Sequence, residues 1–153
     1  MSIDQKLIEL DIVLPEPAAP LASYVPAVRS GNMVYISGQL PSIKGQLIHT
    51  GKVGLVIDMD SAKESARLCV INGLAALKKE IGDLEKVKRI VKLVGFVNSE
   101  KDFHEHPQVI NGGSDLLLAI FGDAGKHARS AVGVSELPRN APVEIEMIVE
   151  VGD

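Results

Sequence analysis

Apolar residues recur at helical spacing in some segments of this chain and alternate or cluster in others. Ala62, Ala66, Cys69, Val70, Gly73, Leu74, Leu77 and Ile81 follow one another every three or four residues. That spacing predicts a long amphipathic helix, capped by Asp58 or Asp60 and stopped at Gly82-Asp83. Leu116, Leu117, Ile120 and Phe121 predict a second helix, with K-D-F-H-E-H-P-Q-V-I-N-G-G-S leading into it and Phe121-Gly122 ending it. Ile3, Leu7, Ile8 and Leu10 predict a short helix over Ser2–Leu10, which the prolines of L-P-E-P-A-A-P terminate.

Period-two and β-branched runs predict the strands. Tyr24–Val28 and Met33–Ser37 flank the turn R-S-G-N. V-K-R-I-V-K-L-V-G-F-V reads as one long strand, and A-R-S-A-V-G-V and P-V-E-I-E-M-I-V-E-V as two closing strands. The Gly-rich stretch I-K-G-Q-L-I-H-T-G-K-V-G-L reads as a loop with room for a short strand. The order is strand pair, helix, strand, helix, strand, strand. In the last strand Val143 and Ile145 face one way and Glu144 and Glu146 the other, as in a sheet with one buried face. Two helices on one face of such a sheet make an α+β two-layer architecture, and the other face meets solvent or another subunit. Residues 1–19 read as a helical arm and 20–153 as a single domain.

Composition narrows the function classes. Aromatics are 3% of the chain and Trp is absent, so Leu, Ile, Val and Ala must build the core. A formal charge of −4 with so few stacking groups argues against nucleic acid and against anionic membrane as partners. The single cysteine, Cys69, excludes an intrachain disulfide and multi-cysteine metal sites, and its apolar context makes it a core residue. The charged N-terminus lacks the marks of a signal peptide, and no apolar run is long enough to span a bilayer. A cytoplasmic protein is the expectation.

Phosphate-binding, dinucleotide, zincin and nucleophile-elbow motifs are all missing. His104 and His106 in H-E-H-P would converge if extended, but no third ligand is evident, so neither a metal nor another cofactor is expected. Arg129 is an unusual charge at the start of a β-branched strand, and Glu144 lies on the strand that follows. If those strands pair antiparallel, the two side chains approach. They form either a surface ion pair or a small-ligand site, with a guanidinium fork for a carboxylate and an acid to orient water.

The segments Y-V-P-A-V-R-S-G-N-M-V-Y-I-S-G-Q-L-P and A-R-S-A-V-G-V-S-E-L-P-R-N-A-P-V-E-I-E resemble the two signature regions of the Rid/YjgF family. These are the reactive intermediate deaminases, also called L-PSP endoribonucleases. The resemblance spans about residues 20 to 151. It implies a chorismate mutase-like α+β fold, a homotrimer with clefts between subunits, and hydrolysis of reactive imines and enamines with release of ammonia. By the same resemblance Arg129 binds the substrate carboxylate and Glu144 positions the attacking water. Tyr24, Ser37 and Gly38 line the cleft.

The chain also departs from the family pattern, as a long-form, divergent branch would. A-S-Y replaces G-P-Y, His127 stands where a Pro usually precedes A-R-S, and Ala131 replaces a Cys or Thr. Ser114 stands where many members have a site Asn, and His127 either contacts a ligand or caps a loop. Two other readings use the same scaffold: a carboxylate-binding regulatory protein without turnover, and an RNA-cleaving inhibitor of translation.

Overall fold

The computed structural model describes residues 1–17, 19 and 22–153. Its elements are α1 (Ile3–Glu9), β1 (Ala27–Ser30), β2 (Met33–Gln39), β3 (Ser42–Ile43), β4 (Gln46–Leu47), α2 (Met59–Ile81), β5 (Val87–Asn98), α3 (His106–Phe121), β6 (Ala128–Val134) and β7 (Val143–Val151). Asp58 caps α2 by accepting the Ser61 amide at 2.8 Å, and Gly82 closes it with its amide on the Lys78 carbonyl. Ser2 and Gln5 form a reciprocal capping box on α1, whose Leu7 is buried.

Two elements begin elsewhere than the pattern predicts. β1 starts at Ala27 rather than Tyr24, because Pro26 has no N–H to give a ladder. The Pro26 carbonyl instead takes the Ser37 amide at 2.9 Å. α3 starts at His106, nearly three turns before the predicted stripe that begins at Leu116, with Pro107 in the first turn where its missing N–H costs nothing.

The sheet order is β1-β2-β7-β5-β6, antiparallel throughout except for the parallel pair β5 and β6. Helix α3 is the crossover of that parallel unit. Helices α2 and α3 cover one face. Val34, Ile36, Leu93, Val97, Ile145 and Val149 of the sheet pack there against Val70, Leu74, Leu77, Ile110 and Leu117. Cys69 belongs to this core, where its burial pushes the thiol pKa well up. Leu7 and Ile12 join the same core. No helix among the described residues covers the opposite face of the sheet. Among the described residues, no helix is long and apolar enough to cross a membrane.

Candidate functional site

Arg129 lies on the edge strand β6, in register with the buried Leu93 of β5. Cross-strand partners share a face, so its side chain rises on the helix side of the sheet, toward α3. There its Nη1 donates to Asn111 Oδ1 at 2.7 Å and to Ser114 Oγ at 3.2 Å. Asn111 and Ser114 are one turn apart and therefore on one helical face. His127, two residues before Arg129, lies with Nε2 2.9 Å from Ser114 Oγ and Nδ1 2.7 Å from the Gly125 carbonyl. Among the described residues, no carboxylate comes within ion-pair distance of the half-buried Arg129 guanidinium.

Glu144 belongs to a different place. Its neighbours on β7, Val143 and Ile145, point into the core, so Glu144 faces the uncovered side of the sheet. It lies against a bulge in β2, where the register with β7 shifts between Ile36 and Gln39. A Cβ on Gly38 would stand 2.8 Å from Glu144 Oε1, so the glycine makes the space that the carboxylate occupies. Burial, and then the like charge of Glu146, hold the Glu144 carboxyl above its ordinary pKa. Ser37 Oγ donates to the Val25 carbonyl at 2.7 Å and ties down the segment that carries the exposed Tyr24.

The expected pairing of the two last strands is therefore corrected. β6 does not pair with β7: β5 lies between them, in the order imposed by the parallel crossover. Arg129 is level with Leu93 and Glu144 with Phe96, on opposite faces. Two strand spacings alone put them about 10 Å apart. Within one protomer the predicted residues fall into two groups. Arg129, Ser114 and His127 meet on the helix side of one edge, and Glu144, Ser37 and Gly38 meet at the β2 bulge. Asn111 was not singled out from the sequence. The signal for it was the spacing N-x-x-S, which puts Asn111 on the face of Ser114 once a helix spans both.

His104 and His106 do not form an extended pair. His106 opens α3, and its Nε2 lies 3.0 Å from Ser99 Oγ with the ring edge-on to Phe103. A polar lock at the end of β5 was also invisible in the sequence. Buried Asn98 accepts from Lys52 Nζ at 2.8 Å and donates to the Ala141 carbonyl at 3.1 Å, joining the two loops at that end of the sheet.

The uncovered face carries Val28, Tyr35, Val94 and Ile148 around a shallow concavity of about 280 Å³, with Lys92 and Glu146 at its rim. Val28 and Tyr35 are each about half exposed, as is Val132 on β6.

Known proteins match this chain over nearly its whole length. Protein TCP17 of Trypanosoma cruzi is 43% identical over 94% of this chain and 91% of its own. A 2-iminobutanoate/2-iminopropanoate deaminase of Dermatophagoides farinae is 32% identical over 90% and 93%. The crystal structure of Atu1372, a protein of unknown function from Agrobacterium tumefaciens, is 47% identical over 99% of this chain and 94% of that one, with a TM-score of 0.92. A YjgF/chorismate mutase-like family model matches residues 4–151, so the likeness reaches into α1 and beyond the segments that first suggested it. With its mixed sheet and one covering layer of helices, this chain belongs to the YjgF/chorismate mutase-like family.

Proposed function

We propose that the protein hydrolyses small 2-imino and enamine acids to 2-oxo acids, releasing ammonia, at sites completed between the subunits of a homotrimer. The observation that carries this reading is Arg129. Its guanidinium is held through Nη1 alone, and the Nη2–Nε edge has no partner among the described residues. That edge is a parallel pair of N–H donors with the spacing of a carboxylate.

The chemistry asks little more. A protonated imine carbon is already electrophilic. Water adds to it with loss of a proton, giving a carbinolamine, and collapse of that species expels ammonia and leaves the 2-oxo acid. Glu144 is the base for the water and the acid for the departing nitrogen. Burial raises its pKa toward the pH at which it can do both. Because Arg129 and Glu144 face opposite sides of one sheet, the reaction needs Arg129 of one protomer beside Glu144 of the next. The apolar uncovered face, with Val28 and Tyr35 exposed, favours assembly. The deaminase among the relatives supports the choice of substrate class.

The test is ammonia release from 2-iminopropanoate and 2-iminobutanoate generated in situ by an amino-acid-oxidising enzyme. Acceleration over the spontaneous rate is the expected result. Absence of acceleration, with 2-oxo acids still raising the melting temperature, would leave a binding protein without turnover.

A further inference from the structure

Resting on the reading of Arg129 as a carboxylate anchor, we infer that His127 is a positioning residue. It acts through the Ser114 hydroxyl to set which edge of the guanidinium faces the ligand.

The hydrogen-bond directions follow from the partners. The Gly125 carbonyl only accepts, so His127 Nδ1, 2.7 Å away, carries the proton. In the neutral ring Nε2 is then a bare lone pair, and Ser114 Oγ, at 2.9 Å, donates its one hydrogen to it. The Ser114 lone pairs are thereby turned toward Arg129 Nη1 at 3.2 Å. Asn111 Oδ1 accepts from the same nitrogen at 2.7 Å. Both Nη1 hydrogens are spoken for. The Nε hydrogen and both Nη2 hydrogens remain, and the Nε hydrogen with the Nη2 hydrogen beside it forms the side-on edge that takes a carboxylate bidentately. Without His127 the Ser114 hydroxyl is released to its usual alternative in a helix, the carbonyl four residues back, and its hold on Nη1 weakens.

The arrangement also accounts for two departures from the family pattern together. A Pro at position 127 has no side-chain nitrogen able to accept from the Ser114 hydroxyl, and an Asn at 114 would carry its own oriented acceptor. Here a short hydroxyl takes the place of the amide, and the neighbouring imidazole supplies the orientation that the hydroxyl lacks.

Two measurements on the full chain decide the matter. The first is the ¹⁵N spectrum of histidine-labelled protein, with the His127 signals assigned by their loss in His127→Phe. A ring protonated at Nδ1 and bare at Nε2 is expected, and a proton on Nε2 overturns the inference whatever any binding experiment gives. The second is calorimetric binding of 2-oxobutanoate to wild type, His127→Phe, Ser114→Ala and the double variant. Each single change is expected to weaken binding by about three- to tenfold, the range of one neutral hydrogen bond. The double variant should be no weaker than the weaker single, because one chain of contacts is being cut twice. Unchanged binding in His127→Phe, or losses that multiply in the double variant, overturn the relay. A wild-type protein that neither binds 2-oxobutanoate nor releases ammonia retires the anchor reading instead, and with it the ligand-facing half of the inference. The tautomer result is independent of that outcome.

Discussion

Gly38 stands where a methyl group would meet the Glu144 carboxylate at 2.8 Å. Gly38→Ala should therefore displace the end of a flexible side chain rather than the backbone. We expect ammonia release to fall at least tenfold while the melting temperature moves only a few degrees. A variant with full turnover would place the reacting water elsewhere. Glu144→Gln separates charge from shape. The folded-state pKa of Glu144 is raised, by burial first and by Glu146 second. A raised carboxyl contributes stability that is complete below the ordinary carboxylate range and is lost as pH rises through the folded value. Glu144→Gln should thus melt no lower than wild type at pH 7, and the two should converge toward pH 4, while turnover is lost and 2-oxo acid binding largely kept. A melting temperature at pH 7 well below wild type would contradict the assigned direction. Arg129→Ala should weaken carboxylate binding at least tenfold, since charge-assisted hydrogen bonds are worth about 1.5–3 kcal/mol each. Arg129→Lys should restore little, because an ammonium has no planar fork. Titration calorimetry on the folded variants decides it, and a Lys variant that binds as wild type would remove the bidentate geometry.

At the scale of elements, α3 carries Asn111 and Ser114, the partners of Arg129, and its place depends on a pair of glycines. Gly112 and Gly113 each disfavour helix by up to about 1 kcal/mol relative to Ala. Their use is in packing: a Cβ on Gly112 would stand 2.2 Å from the Lys63 carbonyl oxygen of α2. Backbone cannot swing aside as a side chain does. Gly112→Ala should therefore destabilise by about 1–3 kcal/mol despite the better helix former. It should also weaken carboxylate binding, because Asn111 is its neighbour. Chemical denaturation gives the first quantity, and an unchanged or raised midpoint would refute so close a contact between α2 and α3. The same glycines explain why the helix start was misplaced by the sequence pattern. N-G-G-S has the composition of a loop, and only the approach of α2 turns those residues into helix interior.

For the whole molecule, the uncovered sheet face sets the expectation. It presents Val28 and Tyr35 beside Val94 and Ile148, and Val132 lies on the far strand. Light scattering should give a homotrimer at micromolar concentration. Tyr35→Glu combined with Val28→Glu should dissociate it, since each places an unpaired charge against apolar surface. The circular dichroism of the protomer should persist, because both positions lie outside the helix-covered core. Ammonia release should vanish with assembly if Arg129 and Glu144 must come from different protomers. An active monomer would refute the shared site.

Much of this protein is written in local patterns. The α2 stripe, the long apolar run of β5 and the in-and-out alternation of β7 are short-range signals, and burial on one face is enough to produce them. The signature residues around Ser37-Gly38 and Arg129 led to the family on the same terms, because each motif is contiguous in the chain. Pairing is not a local property. Nothing within A-R-S-A-V-G-V says that β6 lies parallel to β5 at an edge rather than beside β7. That follows from the crossover through α3, a path of some thirty residues whose direction depends on how the helix packs. Once it is taken, cross-strand register sends Arg129 toward α3 and leaves Glu144 on the other face. Asn111 and Ser114 hold the guanidinium, and His127 holds Ser114, for the same reason. Asn111 and Ser114 are 18 and 15 residues from Arg129 in the chain, and only the packing of a helix over an edge strand brings their polar atoms within hydrogen-bonding reach of it.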